Sequence, residues 1–191
     1  MGMGRGKGAK GASNATCKPT LSKEEILKLE KEALWVPPKK LRPADLELLY
    51  QMEKNGEMFC VTDPKTPDHA IVYASPKFLE FTGYTAKEIV GVNCRFLQGE
   101  ETEPEDVHDI RTGISTQEDT AVFLYNYKKD GTGFYNQFYM TPMRKKFGIP
   151  FMQPGVAYFI GVQTECVAKE DKDAVANRCK QLREKQYALS Q

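Results

Sequence analysis

The stretch TAVFLYNYKKDGTGFYNQFYMTPMR, residues 120–144, decides the fold. It reads as two strands, 120–128 and 134–144, joined by a hairpin turn at Lys129-Asp130-Gly131. From Phe134 to Met140 aromatic and polar residues alternate, so one face of the second strand is buried. A third apolar run, 156–163, follows with no helical pattern between, which argues against parallel βαβ units. Two shorter apolar runs lie upstream, at 58–62 and 71–74, split by a Pro/Asp-rich turn. Five strands in this order predict an α+β domain, a five-stranded antiparallel sheet with helical connectors after its second strand.

The connectors are short. Residues 76–81 and 85–90 read as helical pieces and 93–97 as a turn, and Pro104 opens a longer helix through Ile114. Upstream of the sheet, Ser22 and Glu25 form a capping box for a helix whose stripe is Ile26, Leu29 and Ala33, with Leu27 and Leu34 beside it. Pro37-Pro38 ends that helix. A second helix spans 43–54, with Leu46, Leu49 and Tyr50 inward and Asn55-Gly56 as its stop. Downstream, 169–189 is charged and helix-forming, with a narrow stripe of Val175, Cys179 and Leu182 extended by Ala168 and Leu189. The resulting division is a flexible basic tail (1–20), an N-terminal helical cap (21–56), the sheet domain (57–166) and a C-terminal helix (167–191).

Composition narrows the function. The chain has 191 residues, 40% hydrophobic and 28% charged, with a formal net charge of +1. That suffices for one real core and supplies no strong field for nucleic acid or a membrane surface. No apolar run is long enough to span a bilayer, and the opening MGMGRGKGAKGAS has no apolar core of a secretory signal. Gly6 stands where an N-myristoylation signal wants Ser or Thr. The tail carries Arg5, Lys7, Lys10 and Lys18, which a solvated linker explains. Five widely spaced cysteines suit no disulfide framework or metal cluster, and fit a reduced intracellular, cytoplasmic setting. His69 and His108 sit among polar neighbours and read as surface residues.

The chemistry concentrates in Gly91-Val92-Asn93-Cys94-Arg95-Phe96-Leu97-Gln98-Gly99. This run closely resembles the GxNCRFLQG signature of light-oxygen-voltage (LOV) domains, the flavin-binding photosensory branch of the PAS superfamily. The resemblance runs from Phe59 to Gln163 and includes Thr62-Asp63-Pro64, Tyr73-Ala74-Ser75, Gly83-Tyr84, Asn126-Tyr127, Phe134-Tyr135-Asn136 and Phe159-Ile160-Gly161-Val162-Gln163. It departs at Val92, where Arg is common, at Tyr135, where Trp is common, and in a longer segment 145–157.

The resemblance implies flavin mononucleotide (FMN) as cofactor. Gln98, Asn126, Asn136 and Gln163 would match the alternating donors and acceptors of the flavin's pyrimidine edge, a task carboxamides perform without charge. Arg95 and Arg111 would hold the phosphate, where a guanidinium fork gives bidentate bonds. Asn93 and Thr62 would complete the polar contacts. Leu97, Ile114, Leu124, Phe138, Met140, Phe159 and Gly161 would enclose the ring. Taken singly, each has a plainer reading: a buried cysteine is usually a small hydrophobe and an arginine on a helix a solvated charge. Their joint occurrence favours the site.

The implied function is a blue-light photoreceptor, not an enzyme. Cys94 would rest as a neutral thiol and form a reversible cysteinyl-flavin C4a adduct under light. Gln163 would relay the change through the sheet to the flanking helices, because flavin N5 turns from acceptor to donor. No output domain is evident, so the chain would be either a short photoreceptor signalling through a homodimer or a protein partner, or a sensor module of a larger protein. The alternatives are a ligand-binding PAS module without photochemistry, and a redox flavoenzyme, for which no dinucleotide fingerprint is found. Cys60, on the first strand, would lie near the ring and either tune the adduct's lifetime or simply pack.

Overall fold

The computed structural model describes residues 21–146 and 154–166. The predicted basic tail, the C-terminal helix and the middle of the 145–157 segment lie outside the described residues.

Two N-terminal helices form where the caps place them. Helix α1 is Lys23–Glu32, and its capping box is present, with Ser22 Oγ accepting from the Glu25 N–H and Glu25 accepting from the Ser22 N–H. Helix α2 is Pro43–Lys54, opened by Pro43 at its first position and closed at Asn55. Ile26 of α1 and Leu49 and Tyr50 of α2 are buried, and Leu29, Leu46 and Ala33 pack beside them. Leu27 and Leu34 instead face solvent, at 53% and 68% exposure, so the α1 stripe is narrower than the sequence suggests.

The sheet holds β1 (Phe59–Thr62), β2 (Ile71–Ala74), β3 (Thr120–Tyr127), β4 (Gly133–Arg144) and β5 (Val156–Cys166). Its order is β2-β1-β5-β4-β3, and every neighbouring pair is antiparallel. Between β2 and β3 run α3 (Pro76–Thr82), α4 (Ala86–Ile89), a 3₁₀ turn (Cys94–Leu97) and α5 (Pro104–Thr116). Ser75 caps α3 by accepting from the Phe78 N–H, and Gly83 ends it at φ +76°, a left-handed conformation that glycine adopts without strain. The Lys129-Asp130-Gly131 turn closes as predicted, with the Lys128 N–H donating to Thr132 O at 2.8 Å.

The pleat divides the core in two. One face of the sheet presents Tyr158, Ile160 and Met143 to α1 and α2. The other presents Val122, Leu124, Phe138, Met140 and Phe159 to α5. Lys39, in the linker between α1 and α2, ties the first face together: its Nζ lies 2.5 Å from Asp63 Oδ2 and 3.0 Å from Ala157 O. The second face carries the candidate site.

Candidate functional site

The second face of the sheet, the 3₁₀ turn and α5 enclose a cavity that is partly open to solvent. Its walls include Asn93, Cys94, Arg95, Leu97, Gln98, Arg111, Ile114, Leu124, Asn126, Asn136, Phe138 and Gln163, so the structure brings together twelve residues singled out from sequence. Met140 and Phe159 stand one layer back, packed with Leu124 and Phe138. Gly161 lies under the Phe138 ring, where an added Cβ would meet Phe138 Cε2 at 2.7 Å. Thr62 pairs with Phe159 at the β1–β5 register and does not itself line the cavity.

Two wall residues escaped the sequence reading. Val107 and Ile110 line the cavity from α5. With Arg111 and Ile114 they make an i, i+3, i+4, i+7 stripe, so helical periodicity alone marks them.

Asn93 builds the turn that carries Cys94. Its Oδ1 accepts from the Arg95 N–H at 3.0 Å, and its Nδ2 donates to Asp68 O at 2.6 Å. Asp68 in turn grips the Arg95 guanidinium with both carboxylate oxygens, Nη2 to Oδ1 at 2.8 Å. Arg95, expected to turn to a phosphate, is thus already paired with the β1–β2 connection. The guanidinium holds the Asp68 carboxyl below the ordinary carboxylate range. Arg111 is exposed on α5, at the cavity wall.

Asp68 and His69 both adopt positive φ, 60° and 51°, which brings this connection onto the turn. His69 is not the surface residue its polar neighbours suggest. It is half-buried, its Nδ1 is buried without a partner, and its ring centre lies 6.4 Å from that of Phe159. The left-handed turn, invisible in composition, folds it inward.

The Cys94 thiol is half-buried. Burial pushes its pKa up; the Arg95 charge pulls the other way and is outweighed. The thiol therefore stays protonated at neutral pH, and spontaneous nucleophilic chemistry is suppressed.

The carboxamides carry a second signal. Asn136 Nδ2 donates to Asn126 Oδ1 at 2.9 Å, and Gln163 Nε2 contacts Cys60 Sγ at 3.8 Å. Asn136 Oδ1 and Gln163 Oε1 are buried and have no partner. A buried carbonyl without a donor costs about 1–3 kcal/mol. The fold tolerates two such groups in one cavity, and the Asn136 oxygen suits a ligand edge with an N–H of its own, such as the pyrimidine edge of a flavin. The residues present therefore fit a flavin.

Among the described residues no helix is long and apolar enough to cross a membrane, and no cluster of His, Cys, Asp or Glu would hold a metal ion.

Comparison with known proteins agrees with this geometry. The PAS domain family matches residues 56–165. Phototropin-2 of Oryza sativa subsp. japonica is 44% identical over 120 residues, 63% of this chain and 13% of that protein. Blue-light-activated histidine kinase 1 of Erythrobacter litoralis is 37% identical over 147 residues, 75% of this chain and 39% of that protein. The chain thus spans well under half the length of either curated relative. A solved light-oxygen-voltage domain, studied with a flavin analogue, superposes with a TM-score of 0.58 at 38% identity and covers 72% of this chain and 95% of that one. Matched over more than half its residues to one family and over nearly the whole of that solved domain, the chain belongs to the PAS family and, within it, to the light-oxygen-voltage domains.

Proposed function

We propose that this chain senses blue light through FMN held in the cavity, with Cys94 as the photoreactive thiol and Gln163 as the signal-relaying amide. The observation that carries the reading is the Cys94 thiol on the wall of a cavity that also holds two unpartnered carboxamide oxygens.

Each residue has a role its own chemistry supports. Asn126, Asn136, Gln98 and Gln163 hold the polar edge of the ring. Leu124, Phe138, Leu97 and Ile114 enclose it and exclude water. Arg111 attracts the phosphate, and Arg95 joins it by giving up the Asp68 carboxylate that now holds its fork. When bound, a flavin would supply a ring that blue light turns into an acceptor for the thiol's proton and sulfur; the Sγ–H bond and one ring C=N π bond would be exchanged for one N–H and one C–S bond, with no other reagent consumed. Cys94 supplies both, which is why its thiol must keep its proton in the dark.

Gln163 is placed to report the event. Its Oε1 has no partner, and its Nε2 contacts only a sulfur in the described structure, so turning the amide over sacrifices one weak contact. Gln163 also donates its backbone N–H to Met58 O at 2.8 Å, at the junction of α2 and β1. A change at Gln163 therefore reaches the sheet face on which α1 and α2 rest. The chain itself acts as a sensor and not as an enzyme, and its output passes to a second copy or a protein partner through the flanking helices.

The test is illumination of the purified chain. It should be yellow, bleach under blue light and recover in the dark. Cys94→Ala should keep the colour and lose the bleaching. A colourless chain that takes up no added flavin would leave the rival reading, a PAS module for another ligand, in its place.

A further inference from the structure

Resting on the blue-light reading above, we propose that Cys60 is a two-way seat for the Gln163 amide: its thiol accepts from Nε2 in the resting state and donates to Oε1 once the amide has turned over.

Cys60 sits on β1 and is 2% exposed, and Gln163 sits on β5 and is 5% exposed. Cys60 is directly opposite Gly161 in the β1–β5 register, two residues before Gln163 and on the same face. The Gln163 Nε2 to Cys60 Sγ distance is 3.8 Å, within reach of an N–H···S bond, and Gln163 Oε1 is buried with no partner. The amide is therefore held at one end only, and the end is defined.

A carboxamide has a donor and an acceptor at nearly the same place, and half a turn exchanges them. A neighbour with only one role supports one orientation and opposes the other. A backbone carbonyl can only accept and a backbone N–H can only donate. An alanine or valine at position 60 would support neither. A thiol is a weak donor and a weak acceptor at once, so it meets either end of the amide with a weak bond. The two orientations then differ little on the Cys60 side, and the cavity side decides between them. The role needs a proton on sulfur in both states. Burial pushes the Cys60 thiol well above its ordinary value, so that proton is retained. Cys60 belongs to the same apolar cluster as Cys94. It takes no part in bond-making and is a positioning residue.

Infrared difference spectroscopy of the flavin-loaded full chain, dark minus lit, tests this. The S–H stretching band of Cys94 should vanish on illumination, and a second S–H band should move to lower frequency as Cys60 begins to donate. Cys60→Ala should remove the moving band and leave the loss at Cys94. It should also change the dark recovery rate by roughly two- to tenfold, the range of one lost hydrogen bond. Cys60→Ser keeps both roles, so it should return recovery towards the native rate while showing no moving S–H band, and it serves if the alanine variant does not fold. A native sample that bleaches fully with no second S–H band moving, or a moving band that survives in Cys60→Ala, overturns the proposal. A native sample that loads flavin and never bleaches overturns the blue-light reading itself, a different result from either.

Discussion

Asn136 donates its Nδ2 to Asn126 Oδ1 across the β3–β4 pair at 2.9 Å, which leaves Asn136 Oδ1 as the buried acceptor of the pair without a donor. Asn126 is committed twice, because its own Nδ2 donates to Tyr125 O at 3.2 Å. The pair is thus pre-set: one amide is spent on structure and the other keeps an acceptor for a ligand. Asn136→Leu removes the orphaned acceptor and strands Asn126 Oδ1 in exchange, so the number of unsatisfied oxygens is unchanged. Stability of the flavin-free chain should move by about 1 kcal/mol or less in urea unfolding. Flavin affinity should fall roughly 5- to 150-fold, equivalent to about 1–3 kcal/mol, in a fluorescence titration. An equal loss in both measurements would make Asn136 a structural residue only.

Acid should loosen the contact between α4 and the β3–β4 hairpin. Glu88 accepts from Lys129 Nζ at 2.5 Å and from the Thr85 N–H at 2.9 Å. The Lys129 bond, with the Thr85 bonds behind it, lowers the Glu88 pKa from 4.5 to about 2. A carboxyl depressed by folding stabilises the native state above its unfolded pKa and loses that contribution as pH falls through the folded value. The Glu88 contribution should be whole at neutral pH and decline between roughly pH 4.5 and 2. Glu88→Gln should lose that contribution at neutral pH and draw level with the native chain as the pH falls through that window, which flattens its curve there. A variant curve parallel to the native one throughout would remove Glu88 from the account.

Much of this arrangement was legible in residues. The β3–β4 alternation and the Lys129-Asp130-Gly131 turn fixed that hairpin's register, and Ser22, Pro43 and Pro104 placed three helix starts. The far end of β5 was not legible. Thr164, Glu165 and Cys166 have no apolar pattern, and they are strand because Gln137, Asn136 and Tyr135 stand opposite them. In the site, the carboxamides and Cys94 were found through one contiguous run and its companions. Asp68 was not, because its pairing with Arg95 spans 27 residues and depends on a left-handed turn that no local pattern announces. The same turn hid the burial of His69. Val107 and Ile110 were overlooked although their helical spacing marks them.

Gly161 should not tolerate a methyl group. An added Cβ would meet Phe138 Cε2 at 2.7 Å and Cζ at 2.9 Å, closer than carbon atoms sit without displacement. The Phe138 ring lines the cavity, so its way out is into the space a ligand needs. Gly161→Ala should cost about 1–3 kcal/mol by overpacking. It should also reduce flavin uptake at saturating flavin, seen as a lower ratio of visible to ultraviolet absorbance. Native uptake with native stability would mean that the ring relaxes elsewhere.

The linker between α1 and α2 ties the N-terminal cap to the sheet through the Trp35 ring. Trp35, in the linker between α1 and α2, stacks on Tyr73 of β2 with ring centres 5.1 Å apart and meets the edge of Tyr158 of β5 at 5.6 Å. Beside it the Leu34 N–H donates to Glu53 Oε2 at 2.9 Å, and the Tyr73 hydroxyl donates to the same carboxylate. Helix α1, at ten residues, is too short to persist alone in water, so its order comes from docking. Trp35→Ala removes both ring contacts, each worth about 0.5–1.5 kcal/mol beyond area. Amide exchange of α1 should therefore accelerate roughly 5- to 150-fold, the equivalent of about 1–3 kcal/mol. Exchange in the β3–β4 hairpin, on the far side of the sheet, should stay at its native rate. Acceleration spread evenly over both regions would mean that Trp35 supports the whole domain, and unchanged α1 exchange would mean that the capping box and Ile26 hold the helix without it.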